Sequence, residues 1–300
     1  MNKRTRGILF ALLGGTLWGY SGTVGQYLFS QYEISSEWLT TVRMICAGIL
    51  LLGFAFARRI PLSPVWRDRR EAGRLLLFTV AGLMMVQLTY MKAIYYSNSA
   101  TATALQFLGQ TLVLAVTCLS VRRLPTGREW TAVLLAVGGV FLLSTGGNIH
   151  SLALSPQALL WGLGAAVSVM LYTLLPRKLI RSYGSIPITG FGMLIGGTVL
   201  CMLTRSWSAL PVLDLKGWIY LGVIVFFGTA VAFTLYLQSV SDVGGVTASL
   251  LACSEPLAAA IITTVWLKTE LVLTDYTAFG MIILMSVLLA LPAKSKNVPQ

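Results

Sequence analysis

The sequence predicts an all-α integral membrane protein of about ten transmembrane helices, arranged as two inverted five-helix repeats. Three observations carry this. The 300-residue chain is 56% hydrophobic and only 11% charged, against about 25% charged residues in a soluble domain. Its basic residues collect in alternate gaps between apolar runs. And the second half of the chain repeats the first in register.

The apolar runs place spans at Gly7–Phe29, Trp38–Ala57, Leu75–Tyr95, Ala100–Ser120, Glu129–Ser144, Pro156–Leu175, Ile186–Leu203, Leu215–Ser239, Val243–Trp266 and Leu271–Leu291. Most reach the roughly 20 residues that a helix needs to cross a bilayer. Glu129–Ser144 is short, and Ile94–Thr101 is barely a turn, so those boundaries are the loosest. The first apolar run continues to full spanning length, which reads as a retained helix rather than a cleaved leader.

Lys3, Arg4 and Arg6 precede the first span; Arg58, Arg59, Arg67, Arg69, Arg70 and Arg74 fill the second gap. Arg122, Arg123 and Arg128 fill the fourth gap, Arg177, Lys178 and Arg181 the sixth, and Lys294 and Lys296 the tail. The intervening gaps hold only Arg205, Lys216 and Lys268. Basic loops stay on the cytoplasmic side, so both termini are expected there. The net charge of +12 is thus an orientation signal, and no nucleic-acid partner is expected. Cys46, Cys118, Cys201 and Cys253 are scattered over separate runs, forming neither a disulfide framework nor a metal site.

Shifting residues 75–144 by 146 positions lays them on 221–290 without a gap. Gly82 then meets Gly228, Tyr90 meets Tyr236, Leu105 meets Leu251, Thr103 meets Ser249, and Thr117 meets Thr263. The halves divide as residues 1–146 and 147–300, with five spans each. An odd number of spans turns the second copy upside down in the membrane. Inverted repeats of this kind build secondary transporters, with the substrate site near the midplane between the halves.

Within that frame the stretch Gly244–Trp266 stands out, with Glu255 and Pro256 near its middle. A carboxyl at that depth costs about 3 kcal/mol or more against lipid, so it should face protein or water. Pro256 cannot donate to the carbonyl of Ala252, which predicts a kink. Glu255 could exchange a proton for substrate and so couple transport; a protonated Glu255 bonding a neighbouring helix is the alternative. Arg43 could contact a substrate anion, snorkel outward, or pair with Glu33 or Glu37. Lys92, within a turn of a helix end, is expected to snorkel. Gln87, Gln106 and Gln110 are amides that need a partner at depth, either another helix or the pathway. Trp18 is too deep for an interfacial belt, so it packs or forms an aromatic wall, and Gly15 and Gly19 beside it predict close helix contact. Tyr90, Tyr172 and Tyr236 lie nearer helix ends as belt or pathway residues, and the pairing of Tyr90 with Tyr236 makes those two gate candidates. Thr103 and Ser249 complete the candidate pathway.

The motifs ALLGGTLWGYSG, SNSATATALQFL and ASLLACSEPLAAAI, with the five-plus-five layout, resemble the drug/metabolite transporter superfamily. They are most similar to its EamA family of bacterial inner-membrane proteins. The resemblance implies transport of small metabolites, often export, with no bound cofactor. Family members often carry a proline where this chain has Gln110, aligned with Pro256, so the fourth span is expected to kink less than the ninth.

Two other classes compete. Gly19-Tyr20-Ser21-Gly22 reads GxSG, as around the serine of a rhomboid-like intramembrane hydrolase. That serine needs a base in reach, and the single histidine, His150, falls in a loop. A membrane scaffold has little need for a mid-membrane Glu-Pro and paired amides. The expectation is therefore a non-enzymatic transporter of the bacterial inner membrane, holding a small organic metabolite such as an amino acid in a cavity drawn from spans one, three, four, six, eight and nine. Its partners are that substrate and membrane lipid, with the choice between a single copy and a homodimer left open.

Overall fold

A computed structural model describes residues 2–148, 153–208, 210–243, 248 and 251–290. Its elements are helical throughout the described residues. Spans α1 (Lys3–Tyr32), α2 (Ser36–Ala57), α3 (Arg69–Tyr96), α4 (Ser99–Ser120) and α5 (Gly127–Thr145) form the first half. The second half comprises α6 (Pro156–Leu174), α7 (Ser185–Thr204), α8 (Leu215–Val225 continuing through Phe226–Val231 to Ala232–Val243), α9 (Ser254–Leu267) and α10 (Leu273–Ala290). Eight of these are long and apolar enough to cross a membrane on length and composition alone, while α9 and α10 are shorter apolar helices. Two short helices, Pro64–Arg67 and Arg177–Tyr183, sit in basic gaps.

Local chemistry fixes many helix starts. The side chains of Asn98 and Ser155 accept the backbone N–H groups of Thr101 and Ala158, at 2.9 and 3.1 Å, where α4 and α6 begin. Thr126 and Glu129 form a capping box on α5. Asp214 accepts the Gly217 N–H at 2.7 Å and the Tyr32 hydroxyl at 2.6 Å, which together hold its carboxyl below the ordinary aspartate range.

The helices pack as a twofold set. The α1–α8 pair has its counterpart in α6–α3, and α1–α9 in α6–α4, while α2–α7, α5–α10 and α4–α9 are their own counterparts. Exchanging the halves leaves these pairings unchanged, as inverted repeats require, whereas the packing of α1 on α3 and α4 has no equal in α6 on α8 and α9 among the described residues. Irregularities repeat as well. A π-helical stretch containing Gly82 interrupts α3, and one containing Gly228 interrupts α8.

The fourth span is interrupted at one residue, where the ninth is interrupted at two. Without a proline at Gln110, α4 is still interrupted at Leu108, whose N–H turns back to the Leu105 carbonyl at 3.2 Å. The matching interruption at Ala252–Cys253 precedes α9, and the Glu255 N–H binds the Ala252 carbonyl at 2.9 Å, taking the acceptor that Pro256 leaves vacant. The break falls where α6 approaches closely: a Cβ on Gly109 would lie 2.7 Å from the Ala166 carbonyl oxygen.

Three apolar clusters make the interior. One joins the ends of α1, α2, α3, α4, α6 and α8 on the face where α1 ends, and spans both halves. The rest of the core splits into one cluster centred on α4, α5 and α10 and another centred on α2, α3 and α7. A void lies between these two.

Candidate functional site

The void is a cavity of about 490 Å³. Its deep end is lined by Trp18, Arg43, Tyr90, Ala252 and Glu255. From there it runs past Gln87, Gln106, Gln110, Tyr172 and Tyr236 to helix ends at Thr117, Arg128, Thr173 and Leu289. By the alternation of the spans, those four positions share the face on which α1 begins.

Glycine lets α1 approach the deep end. A Cβ on Gly19 would stand 2.5 Å from the Glu255 carbonyl oxygen and 2.8 Å from the Ala259 nitrogen, and one on Gly15 would stand 3.0 Å from the Ala252 oxygen. The Ser254 hydroxyl donates to the Leu12 carbonyl at 3.1 Å. The broken backbone before Glu255 is thus sheltered by α1, the condition under which a break is tolerated at membrane depth.

Glu255 and Arg43 are 8% and 4% exposed, and both face the cavity. No ion pair joins them among the described residues. Among the described residues Arg43 donates only to the Met91 sulfur, at 3.8 Å, and its Nε has no partner. Of the alternatives for Arg43, pairing with Glu33 or Glu37 is not found among the described residues; Lys92 takes Glu37 in an ion pair and lies 4.9 Å from the Trp161 ring centroid. Lys92 is therefore paired rather than simply snorkelling. Around the two charges the wall is aromatic and amide. Trp18 packs on Phe233 and Tyr236 with centroids 5.1 Å apart, and Tyr172 on Phe78 at 5.8 Å. Gln87 donates to the Met193 sulfur at 3.7 Å, and the Gln106 carbonyl oxygen is buried without a partner among the described residues.

Thr103 stands behind the wall, its hydroxyl 2.9 Å from that of Tyr90, and does not line the cavity. Ser249, like His150 and Gly244, lies outside the described residues. Pro256 occupies the first turn of α9, just after the break. Ser21, the GxSG serine, faces Gly228 of α8 instead of the cavity. The cavity also draws on α2, α5 and α10 through Arg43, Arg128, Glu129 and Leu289, beyond the six spans expected. Phe107, Val169, Thr173 and Phe233 are wall residues the sequence did not single out; Val169 and Thr173 carried no repeat signal strong enough to mark them.

On the other face the route is sealed. Tyr27 stacks on Trp266 at 5.3 Å and Tyr220 lies 4.9 Å from Tyr27. Thr23 and Thr263 share a hydrogen bond of 3.1 Å between α1 and α9. The Gln26 side chain accepts the Ser99 N–H at 2.8 Å and donates to Thr269 at 3.3 Å.

Inverted five-helix repeats enclosing a midplane cavity that is open to one face and closed to the other define a membrane transporter. The profile described as the EamA-like transporter family matches residues 5–145 and again 156–291, and the chain belongs to that family. The chain is 36% identical to an uncharacterized inner membrane transporter, YicL, of Salmonella typhimurium, covering 99% of both chains. It is 25% identical to the uncharacterized inner membrane transporter YedA of Escherichia coli K12, over 98% of this chain and 94% of that one. A solved crystal structure shares the fold at a TM-score of 0.64 and 16% identity, covering 95% of this chain and 96% of that one.

Proposed function

We propose that this transporter carries a small organic metabolite bearing both a carboxylate and an amine, in the manner of an amino acid, out of the cell by alternating access. The observation that carries this reading is an acidic side chain, Glu255, and a basic one, Arg43, both buried in one cavity with no ion pair between them among the described residues. A buried charge without a partner is costly by several kcal/mol, a cost that a substrate carboxylate relieves at Arg43, while Glu255 keeps its proton until an amine arrives to pair with its carboxylate. The carboxylate meets Arg43 and the amine meets Glu255. The apolar body lies against Trp18, Tyr172, Phe233 and Tyr236, and Gln87, Gln106 and Gln110 supply amide contacts.

Both termini lie in the cytoplasm in this reading, so the cavity faces the cytoplasm, where an exporter loads. Glu255 is also the coupling residue, releasing a proton when the amine arrives and regaining it when the amine leaves. Support for the orientation comes from the basic gaps, and support for the coupling from the carboxyl's place at the deep end of the cavity.

A thermal-shift screen of purified protein tests the substrate class, because a ligand of the folded form stabilises it by RT ln(1 + [L]/Kd). Free amino acids should raise the melting temperature, while matched monocarboxylates and monoamines should raise it less. Equal shifts with all three, or a shift with sugars alone, would overturn the reading. Flux of the best ligand in proteoliposomes then sets direction and gradient dependence.

A further inference from the structure

Each half of this protein contains the same helix contact, closed on one face and open on the other. On the closed face α1 lies against the corner between α3 and α4. A Cβ on Gly22 would meet the hydroxyls of Tyr90 and Ser99 at 2.5 Å, and one on Gly25 would meet the Met91 sulfur at 3.6 Å. Gln26 completes the seam by accepting the Ser99 N–H at 2.8 Å.

Two independent registers give the image of this seam. Ala11-Leu12-Leu13, Gly15 and Ser21 of α1 recur at the same spacing in α6 as Ala158-Leu159-Leu160, Gly162 and Ser168. Packing agrees: Gly19 touches the backbone of Glu255, and the carbonyl of Ala166 presses on Gly109, the repeat partner of Glu255. Gly22, Gly25 and Gln26 then correspond to Val169, Tyr172 and Thr173, and Tyr90 to Tyr236. All four image residues line the open cavity.

We infer that these two contacts are the alternating gates, that Tyr172 and Thr173 of α6 close onto Tyr236 of α8 when the Gly22–Gln26 seam parts from Tyr90 and Ser99, and that the two gates are unequal. The inference rests on the reading of alternating access and goes beyond it by naming the moving surfaces. In an inverted-repeat protein the second state is reached when each half takes the arrangement of the other, so the closed contact on one face is the template for closure on the other. The inequality comes from one position. Gly22 leaves room for the Tyr90 hydroxyl, whereas Val169 fills the space into which the Tyr236 hydroxyl would insert. The gate on the cavity side therefore closes less tightly, and the population rests open on that side.

Reporter cysteines test this in the full-length protein with its four native cysteines replaced. Ser99→Cys reports opening of the sealed face, and Thr173→Cys reports opening of the cavity face. An impermeant maleimide is applied to membrane vesicles of both orientations, so the result does not depend on which face is cytoplasmic. Val169→Gly removes the obstruction. Labelling at Ser99→Cys is expected to rise several-fold, and labelling at Thr173→Cys to fall, within the same preparation. Gly22→Val makes the reciprocal change and should shift both reporters the same way. Because Gly22→Val also crowds Tyr90, Val169→Gly alone decides the outcome if Gly22→Val fails to fold. Unchanged labelling at both sites in Val169→Gly, or a change at only one, would overturn the proposal. No transported compound is needed, so a failed ligand screen leaves this outcome independent.

Discussion

At the scale of single residues, the two charges in the cavity make separable predictions. Glu255→Gln preserves shape and hydrogen bonding but cannot ionise. It is expected to lose proton-driven accumulation of the transported compound, and the pH dependence of that accumulation, while substrate-for-substrate exchange in proteoliposomes survives. Accumulation by the variant that still follows the proton gradient as in the wild type would remove Glu255 from coupling. Arg43 has a different signature. Replacing it with Gln takes away a charge-assisted contact, so affinity for a carboxylate-bearing ligand should fall by roughly 10- to 100-fold, corresponding to about 1.5–3 kcal/mol. A monoamine probe should bind the Arg43→Gln variant as well as the wild type or better. Titrating both probes by thermal shift distinguishes a ligand contact from a structural role, which would weaken both alike.

At the scale of helices, the interruption of α4 is the instructive case. A proline accounts for the break before α9 but not for its partner, which falls where α6 approaches Gly109. Since α4 already turns at Leu108, Gln110→Pro is expected to insert and fold nearly normally, a result that yield and monodispersity in detergent would check. Gln110→Leu probes function at the same position. Transport per folded molecule should drop while yield and melting temperature hold, because the side chain faces the cavity. Lower thermal stability with undiminished transport would instead mark Gln110 as an interhelical contact. The α1–α9 contact makes a stability prediction. A side chain on Gly19 meets backbone within 2.8 Å rather than a flexible neighbour. Gly19→Val should therefore destabilise by about 1–3 kcal/mol or more, visible as a lower melting temperature.

At the scale of the whole molecule, orientation can be tested directly. With single cysteines at Ser63 and Asn148 in a cysteine-free background, an impermeant maleimide added to whole cells should modify Asn148→Cys and spare Ser63→Cys. The opposite pattern would turn the protein over and leave the cavity facing the periplasm. Much of the architecture behind that test is legible from residues alone. Apolar runs of spanning length have few alternatives in a bilayer, because every backbone polar group must find its partner within a helix. The offset that superimposes Gly82 on Gly228 and Tyr90 on Tyr236 already implies two halves, and the count of spans implies their inversion. The depth of Glu255, Trp18 and the three amides follows from counting along those spans.

Tertiary packing decided what counting could not reach. Arg43 had three plausible destinations along its own helix; the choice fell to Lys92, which occupies Glu37 and leaves the guanidinium turned into the cavity. Thr103 and Ser21 lie at suitable depths, yet Tyr90 stands in front of the first and Gly228 takes up the second. The break in α4 falls where α6 approaches Gly109, and the glycine seam of α1 packs against Tyr90 and Ser99 on the closed face. Sequence determines which segments enter the membrane and how deep each polar group lies, because those depend on one helix and its solvent. Which neighbour each group meets depends on helices far apart in the chain, and the close approach of their backbones sets that.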